Sequence, residues 1–146
     1  MDLIIRDAID DDYESIYLLN LNGLGYDYSK ERTKQRLAQV VESKVCKFLI
    51  AECNGIIAGY IHVVDYEVTY SDSIKNILAL VVDEQFRGNG IGRALLSAVE
   101  AWAKETGSVG IRLNSSMART EAHKFYETCG YVNRKEQKNY VKVFNE

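Results

Sequence analysis

Apolar and polar positions alternate along several segments of the chain in a way that predicts strands. Leu3–Ile5 is a short apolar segment near the start. Val45–Glu52 and Ile56–Val64 follow, and Asn54-Gly55 between them favours a hairpin because both turn residues tolerate a positive φ. Ile74–Val82 is apolar almost without alternation, which predicts a strand that is covered on both faces.

Other segments repeat their apolar residues every three or four positions, as amphipathic helices do. Helices are expected after the acidic cluster Asp10–Glu14, from Ser29 to Val41, from Ile91 to Gly107 and from Thr120 to Gly130. Further strands are expected at Val109–Leu113, Tyr131–Val132 and Tyr140–Phe144. The order β-α-α-β-β-β-α-β-α-β indicates a single α/β domain over residues 1–146, with one mixed sheet flanked by helices.

The composition excludes several classes of protein. The chain has 146 residues, of which 47% are hydrophobic and 27% are charged. This composition is typical of a globular domain. Its net charge of −3 gives no basic excess for nucleic acid, and no apolar run is long enough to span a membrane. The start of the chain does not resemble a signal peptide. Three cysteines without a close pair (Cys46, Cys53 and Cys129) favour a reducing cytoplasm and argue against a metal site.

The turn after the apolar strand Ile74–Val82 is rich in glycine and leads directly into a helix. Its alternating glycines are Gly88, Gly90 and Gly92. Without a Cβ on that side, backbone N–H groups can approach an anion, and the helix N-terminus adds partial positive charge. Arg87 and Arg93 add further positive charge. The segment therefore predicts a site for phosphate groups.

Three other interpretations of this turn fit the residues less well. A Walker loop needs Gly-Lys followed by Ser or Thr, which this segment lacks. A dinucleotide-binding fingerprint needs a third glycine where Arg93 stands, and it normally lies on the first strand–helix turn. A plain turn that only caps the helix would not need three alternating glycines between two arginines.

Two motifs resemble the GNAT superfamily of N-acetyltransferases. Arg87-Gly88-Asn89-Gly90-Ile91-Gly92, preceded by Leu80-Val81-Val82, matches the family's pyrophosphate-binding signature Arg/Gln-x-x-Gly-x-Gly/Ala. Ala122–Tyr131 resembles its A-x-x-F-Y-x-x-x-G-F/Y helix. The element order also agrees with the family over nearly the whole chain. The resemblance is to a branch that acetylates small molecules, including aminoalkylphosphonates and aminoglycosides.

The resemblance implies a mixed, mostly antiparallel sheet with a central parallel strand pair that splays apart, here Ile74–Val82 and Val109–Leu113. It implies acetyl-CoA as cofactor, with its pantetheine arm along the first of these strands and its pyrophosphate on the glycine-rich turn. The residues that would bind it are Leu80, Val81, Val82, Arg87, Gly88, Asn89, Gly90, Ile91, Gly92, Arg93 and Asn114.

Tyr126 matches the position of the family's general acid. An amine attacks the thioester directly in a ternary complex, and the departing thiolate must receive a proton. A tyrosine hydroxyl with a pKa near ~10 is protonated at neutral pH and can supply it. Periodicity alone favours Tyr126 as an aromatic residue of the helix stripe with Phe125, and it is the motif match that favours the general acid.

The general base is not identified by the motifs. Several family members have a glutamate near the start of the splayed strand, where this chain has Ile74. The alternatives are Asp65, Glu67, Asp72, His62 or an ordered water. His62 lies in an alternating strand pattern and is interpreted as a packed residue, and His123 as a surface or relay residue.

Aromatic and acidic residues in two connections are candidates for binding the acceptor. They are Tyr26, Asp27, Tyr28, Tyr66, Glu67 and Tyr70. Aromatic walls with acids suit a small cationic molecule with a primary amine. The alternatives are an acetyltransferase for protein N-termini or lysines, and a non-catalytic module that senses acyl-CoA. Homodimer formation stays open, because no apolar surface stripe is distinctive.

Overall fold

The computed structural model describes residues 2–144 of the chain. Its strands are β1 (Leu3–Asp7), β2 (Cys46–Cys53), β3 (Ile56–Tyr66), β4 (Ile74–Val82) and β5 (Ile111–Leu113). Its α-helices are α1 (Tyr13–Leu19), α2 (Lys30–Glu42), α3 (Ile91–Glu105) and α4 (Thr120–Thr128). The chain divides into two compact units, Met1–Asn114 and Ser115–Glu146, and α4 belongs to the second.

The strands of the first unit form one mixed sheet in the order β1-β2-β3-β4-β5. Neighbouring strands are antiparallel except β4 and β5, which run parallel. This arrangement confirms the predicted fold class. The hairpin between β2 and β3 is also confirmed, because Asn54 and Gly55 have φ values of 52° and 81°.

The two strands expected at Tyr131–Val132 and Tyr140–Phe144 do not form. Residues 131–144 contain no strand, and the side chains of Tyr140 and Phe144 are 84% and 85% exposed. An alternating pattern of apolar and polar residues shows only that a segment has one apolar face to bury. A strand also needs a neighbour for its backbone hydrogen bonds. Without these strands, the parallel pair β4–β5 lies at the edge of the sheet as described, and not at its centre.

Helices cover both faces of the sheet in the first unit. One cluster joins α1, α2 and the sheet, with Ala8, Ile16, Leu19, Leu37, Ile50, Tyr60 and Val81 at its centre. Ile61, next to Tyr60 on β3, is also fully buried, and successive strand residues face opposite ways. The other face packs on α3, where Leu95 and Val99 are 0% exposed. The helical spacing expected for α3 is confirmed.

Candidate active site

The turn between β4 and α3 keeps two glycines in a conformation that other residues rarely adopt. Gly88 has a φ of 81° and Gly90 a φ of 77°, and a Cβ at either position would meet no atom within 4 Å. The Asn89 side-chain amide donates to the carbonyl of Phe86 at 3.0 Å and holds the turn in shape. The turn is therefore an open cradle in which a ligand can approach the backbone.

The amides of this cradle are available to an anion. In α3 the first backbone bond runs from Ala94 N–H to the Gly90 carbonyl at 3.0 Å, and the amides of residues 88–93 have no acceptor among the described residues. Arg87 and Arg93 are exposed beside the turn and form no ion pair within residues 2–144. Free amides, a helix N-terminus and two guanidinium groups fit a pyrophosphate.

The strands β4 and β5 separate part of the way along β4. Only Lys75–Ile77 pair with β5, although β4 continues to Val82. Leu78 forms a bulge where the register between β3 and β4 shifts, and bulges bend the strand that contains them. The segment after the bulge therefore has an open edge on the side away from β3.

Successive backbone N–H groups of a strand point to opposite sides, and this decides which of them line the open edge of β4. Asp83 N–H donates to the Ala58 carbonyl on β3 at 2.7 Å. The amide of Val81 therefore also faces β3, and those of Leu80 and Val82 face the open edge. The Val81 side chain is buried in the core at 4% exposure. Leu80 and Val82 can pair with an extended ligand, whereas Val81 supports the wall behind them.

The predicted acceptor residues fall into two groups that the structure keeps apart. Tyr26, Asp27 and Tyr28 are exposed in the connection from α1 to α2, and Tyr26 N–H donates to the Asn20 carbonyl at 3.0 Å. Tyr66 ends β3, and Tyr70 is in the following connection. Tyr26 lies near Tyr60 on β3. Along β3, the distance from Tyr60 to Tyr66 is about 20 Å. The predicted role of both groups in binding the acceptor stays a prediction.

Tyr60 and His62 form an aromatic cluster with Phe48 beneath the α1–α2 connection. The Phe48 ring stacks on Tyr60 at 4.7 Å and lies 5.0 Å from the His62 ring. The Tyr60 hydroxyl donates to the side-chain carbonyl of Asn20. Burial raises the pKa of Tyr60 and lowers that of His62, which keeps both side chains neutral at pH 7. His62 is a packed residue, as interpreted from the sequence.

Two of the predicted base candidates, Asp65 and Glu67, already have hydrogen-bonding partners. Asp65 forms an ion pair of 2.7 Å with the buried ammonium of Lys75, which also lies 4.3 Å from the Trp102 ring centroid. Glu67 accepts a hydrogen bond from the Ser73 hydroxyl. Glu67 and Asp72 are exposed in the connection between β3 and β4, and they remain the carboxylates open to solvent there.

Sequence reasoning missed Arg112, which is on β5 directly beside the point where the strands part. Its guanidinium donates to the side-chain oxygen of Asn76 at 2.9 Å and to that of Asn114 at 3.4 Å. Its Cζ lies 4.6 Å from the Tyr66 ring centroid. The only signal in the sequence is a charged residue between two apolar residues of a short strand.

Tyr126 lies in α4 of the second unit. Its ring makes edge contacts with Phe125 at 5.3 Å and Tyr131 at 5.9 Å. Burial raises the pKa of Tyr126, Arg119 opposes that shift, and the hydroxyl is protonated at neutral pH. Gly130 ends the helix with a φ of 93°, as expected for a glycine in that position. The predicted role of Tyr126 as acid stays a prediction.

Comparison with known proteins places these features in a family. A family model of the acetyltransferase (GNAT) domain matches residues 44–133. The chain is 27% identical over 128 residues to the aminoalkylphosphonate N-acetyltransferase of Salmonella typhimurium, covering 87% of this chain and 83% of that protein. It is 32% identical over 88 residues to the aminoglycoside N(6')-acetyltransferase type 1 of Stenotrophomonas maltophilia, covering 58% of each.

A solved structure supports the same fold. The aminoglycoside acetyltransferase AAC(6')-Iy, in complex with a CoA bisubstrate analogue, superposes with a TM-score of 0.85 at 18% identity, covering 99% of this chain and 100% of that one. Within residues 2–144, no helix is long and apolar enough to cross a membrane. The same residues contain no group of three or more His, Cys, Asp or Glu side chains suited to a metal ion.

Proposed function

The chain belongs to the GNAT family of acetyltransferases, and on that basis we propose that it transfers an acetyl group from acetyl-CoA to the primary amine of a small molecule. The observation that supports this best is that the open glycine cradle at Gly88 and Gly90 follows directly after the open edge of β4 along the chain. Relatives named as N-acetyltransferases of small amines support the choice of acceptor.

The first unit has the groups that acetyl-CoA needs. The free amides of residues 88–93, with Arg87 and Arg93, would hold its pyrophosphate. The backbone groups of Leu80 and Val82 would bind its pantetheine arm, and the Asn114 side chain would contribute at the end of β5. When bound, acetyl-CoA supplies a thioester, which is an activated acetyl group.

Two proton transfers complete the reaction. The acceptor ammonium loses a proton before its nitrogen forms the new bond to the acetyl carbon, and Glu67 or Asp72 can pass that proton to solvent. As the carbon–sulfur bond breaks, the Tyr126 hydroxyl gives its proton to the departing thiolate in the ternary complex. The raised pKa of Tyr126 and its place in the matching motif support this role.

The direct test is release of free thiol from acetyl-CoA across a panel of amines, with binding of acetyl-CoA measured by calorimetry. We expect saturable turnover with small primary amines and no turnover of N-terminal or lysine peptides. Preference for peptides would favour a protein acetyltransferase. Binding of acetyl-CoA without turnover of any amine would favour an acyl-CoA sensor, and absence of binding would contradict both.

A further inference from the structure

The guanidinium of Arg112 is fixed in place by neutral partners. Asn76 on β4 and Asn114 at the end of β5 each accept one hydrogen bond from it, at 2.9 and 3.4 Å. A guanidinium has five N–H donors, so three remain without a partner in these contacts. Its flat face lies over the Tyr66 ring at 4.6 Å. The group is oriented, yet its charge is not neutralised.

The acids around Arg112 do not neutralise it. Asp65 is paired with Lys75 at 2.7 Å, and Glu67 accepts from the Ser73 hydroxyl. Among residues 2–114, no carboxylate lies within ion-pair distance of Arg112. Interaction with Tyr66 raises the pKa of Tyr70, and the charge of Arg112 opposes that shift. Arg112 is therefore a half-buried cation with hydroxyl and amide neighbours and an open coordination shell.

Arg112 also lies next to the point where β4 and β5 part. It pairs with Asn76, one residue before β4 and β5 part after Ile77. Lys75 and Ile77 face α3, so alternation puts Asn76 and Arg112 on the opposite face, which α1 and α2 cover in part. The open edge of β4 ends at this point. An acceptor whose amine lies at this end of the open edge of β4 would have the rest of its structure next to Arg112.

We propose that Arg112 binds an acidic group of the acceptor, so that the substrates are primary amines that also bear a carboxylate or a phosphonate. A planar guanidinium with free donors binds such oxygen anions in a bidentate manner. The inference rests on the proposed acetyltransferase function. It differs from the expectation of a cationic acceptor at Tyr66 and Tyr70, since the chain's own Arg112 lies over one face of the Tyr66 ring.

Turnover is measured with 2-aminoethylphosphonate, β-alanine and n-propylamine, for the native chain and for Arg112→Met, Arg112→Lys and Arg32→Met. Arg32 is exposed on α2 and serves as a matched loss of charge outside the site. We expect Arg112→Met to raise the KM for the two acid-bearing amines by about 10- to 100-fold and to leave propylamine unchanged. Arg112→Lys should recover part of the loss, and Arg32→Met should match the native chain.

Binding of anions that lack an amine gives a second measurement that does not depend on turnover. Methylphosphonate and propionate should bind the native chain in calorimetry, and Arg112→Met should abolish that binding while acetyl-CoA still binds. The ratio of the two affinities distinguishes a phosphonate site from a carboxylate site. If no amine is turned over but these anions bind through Arg112, the proposed function fails and the anion site stands.

Three outcomes would overturn the assignment of Arg112. One is equal loss for all three amines in Arg112→Met, which indicates a structural role. Another is preference of the native chain for n-propylamine over both acid-bearing amines. The third is absence of methylphosphonate and propionate binding to the native chain. Each leaves the acetyltransferase proposal intact if thiol release with any amine is observed.

Discussion

Two cationic side chains near the start of β4, Lys75 and Arg112, have different roles because their surroundings differ. Lys75 is buried against the Trp102 ring and neutralised by Asp65, which makes it part of the framework. Arg112 is held by amides and keeps its charge. The sequence motif identified Tyr126, whereas nothing local to Arg112 in the sequence could show which side chains would surround it. That environment depends on strand pairing across distant residues.

The Tyr126→Phe variant tests the proton donor. Removing only the hydroxyl should lower kcat by about 100-fold or more, because the thiolate must then leave without a proton from this residue. Acetyl-CoA affinity, measured by calorimetry, should change little. Because burial raises the pKa of Tyr126, the native rate should not fall from loss of this proton between pH 7 and 9.

Tyr140→Phe is the matched control for that experiment. It removes a hydroxyl from an 84% exposed tyrosine of the same unit and should leave kcat unchanged. A Tyr126→Phe enzyme with native kcat would exclude the hydroxyl as the acid. Loss of acetyl-CoA affinity together with kcat would instead indicate a role in binding.

The elements around the glycine-rich turn were largely predictable from the sequence, whereas the register between β3 and β4 was not. The strand Ile74–Val82 has the bounds expected from its apolar run, and the glycine-rich turn leads into α3 as expected. The bulge at Leu78 has no side-chain signature, because it arises from how β3 and β4 pair. For the same reason β3 extends to Tyr66, beyond the expected end at Val64. Tyr66 is thus a strand residue rather than a loop residue.

The Gly90→Val variant tests the glycine cradle. Gly90 has a φ of 77°, where a β-branched residue is strained, and the new side chain would fill the space beside the free amides. We expect acetyl-CoA binding to weaken beyond detection in calorimetry. Gly55→Val is the matched control, since Gly55 has a φ of 81° with equally open surroundings in the hairpin between β2 and β3.

Both glycine variants should lose similar stability through backbone strain, about 1–2 kcal/mol. Only Gly90→Val should lose acetyl-CoA. Tight acetyl-CoA binding by Gly90→Val would contradict the assignment of the cradle. Equal loss of binding in both variants would indicate that general destabilisation, and not the cradle, determines affinity.

For the whole molecule, the order of the predicted elements indicated a mixed α/β sheet, and the family was predicted only from the resemblance of two motifs, Arg87–Gly92 and Ala122–Tyr131. The described structure divides into two units, which the sequence pattern did not indicate, with the proposed binding groups in the first and Tyr126 in the second. The exposed segment Tyr140–Phe144 shows the limit of a sequence pattern. Alternating apolar and polar residues indicate that a segment has one apolar face, but they do not indicate which element packs against it. A single domain and a cytoplasmic location stay predictions, and homodimer formation stays open.

Stability of the first unit should depend on pH through one ion pair that joins β1 to the start of α1. The Arg6 guanidinium donates to both carboxylate oxygens of Asp12, at 2.9 and 2.8 Å, and to Glu52 on β2 at 2.8 Å. Burial alone would raise the pKa of Asp12, but the bonds from Arg6 and from Ile9 N–H and the charge of Arg6 outweigh it. The pKa of Asp12 in the folded chain is therefore lowered.

A lowered carboxyl pKa stabilises the fold above the unfolded value of about 3.9, and this contribution disappears as the pH falls through the folded pKa. Asp12→Asn should therefore reduce the free energy of unfolding by about 2–4 kcal/mol at pH 7. In urea denaturation at about pH 3, its deficit relative to the native chain should shrink, because below about pH 3.9 Asp12 of the unfolded chain takes up a proton more readily than the folded carboxylate does. Asp11→Asn, at an exposed neighbour, should change stability little at either pH. An equal deficit for Asp12→Asn at both pH values would show that packing, and not the charge on Asp12, provides this stabilisation.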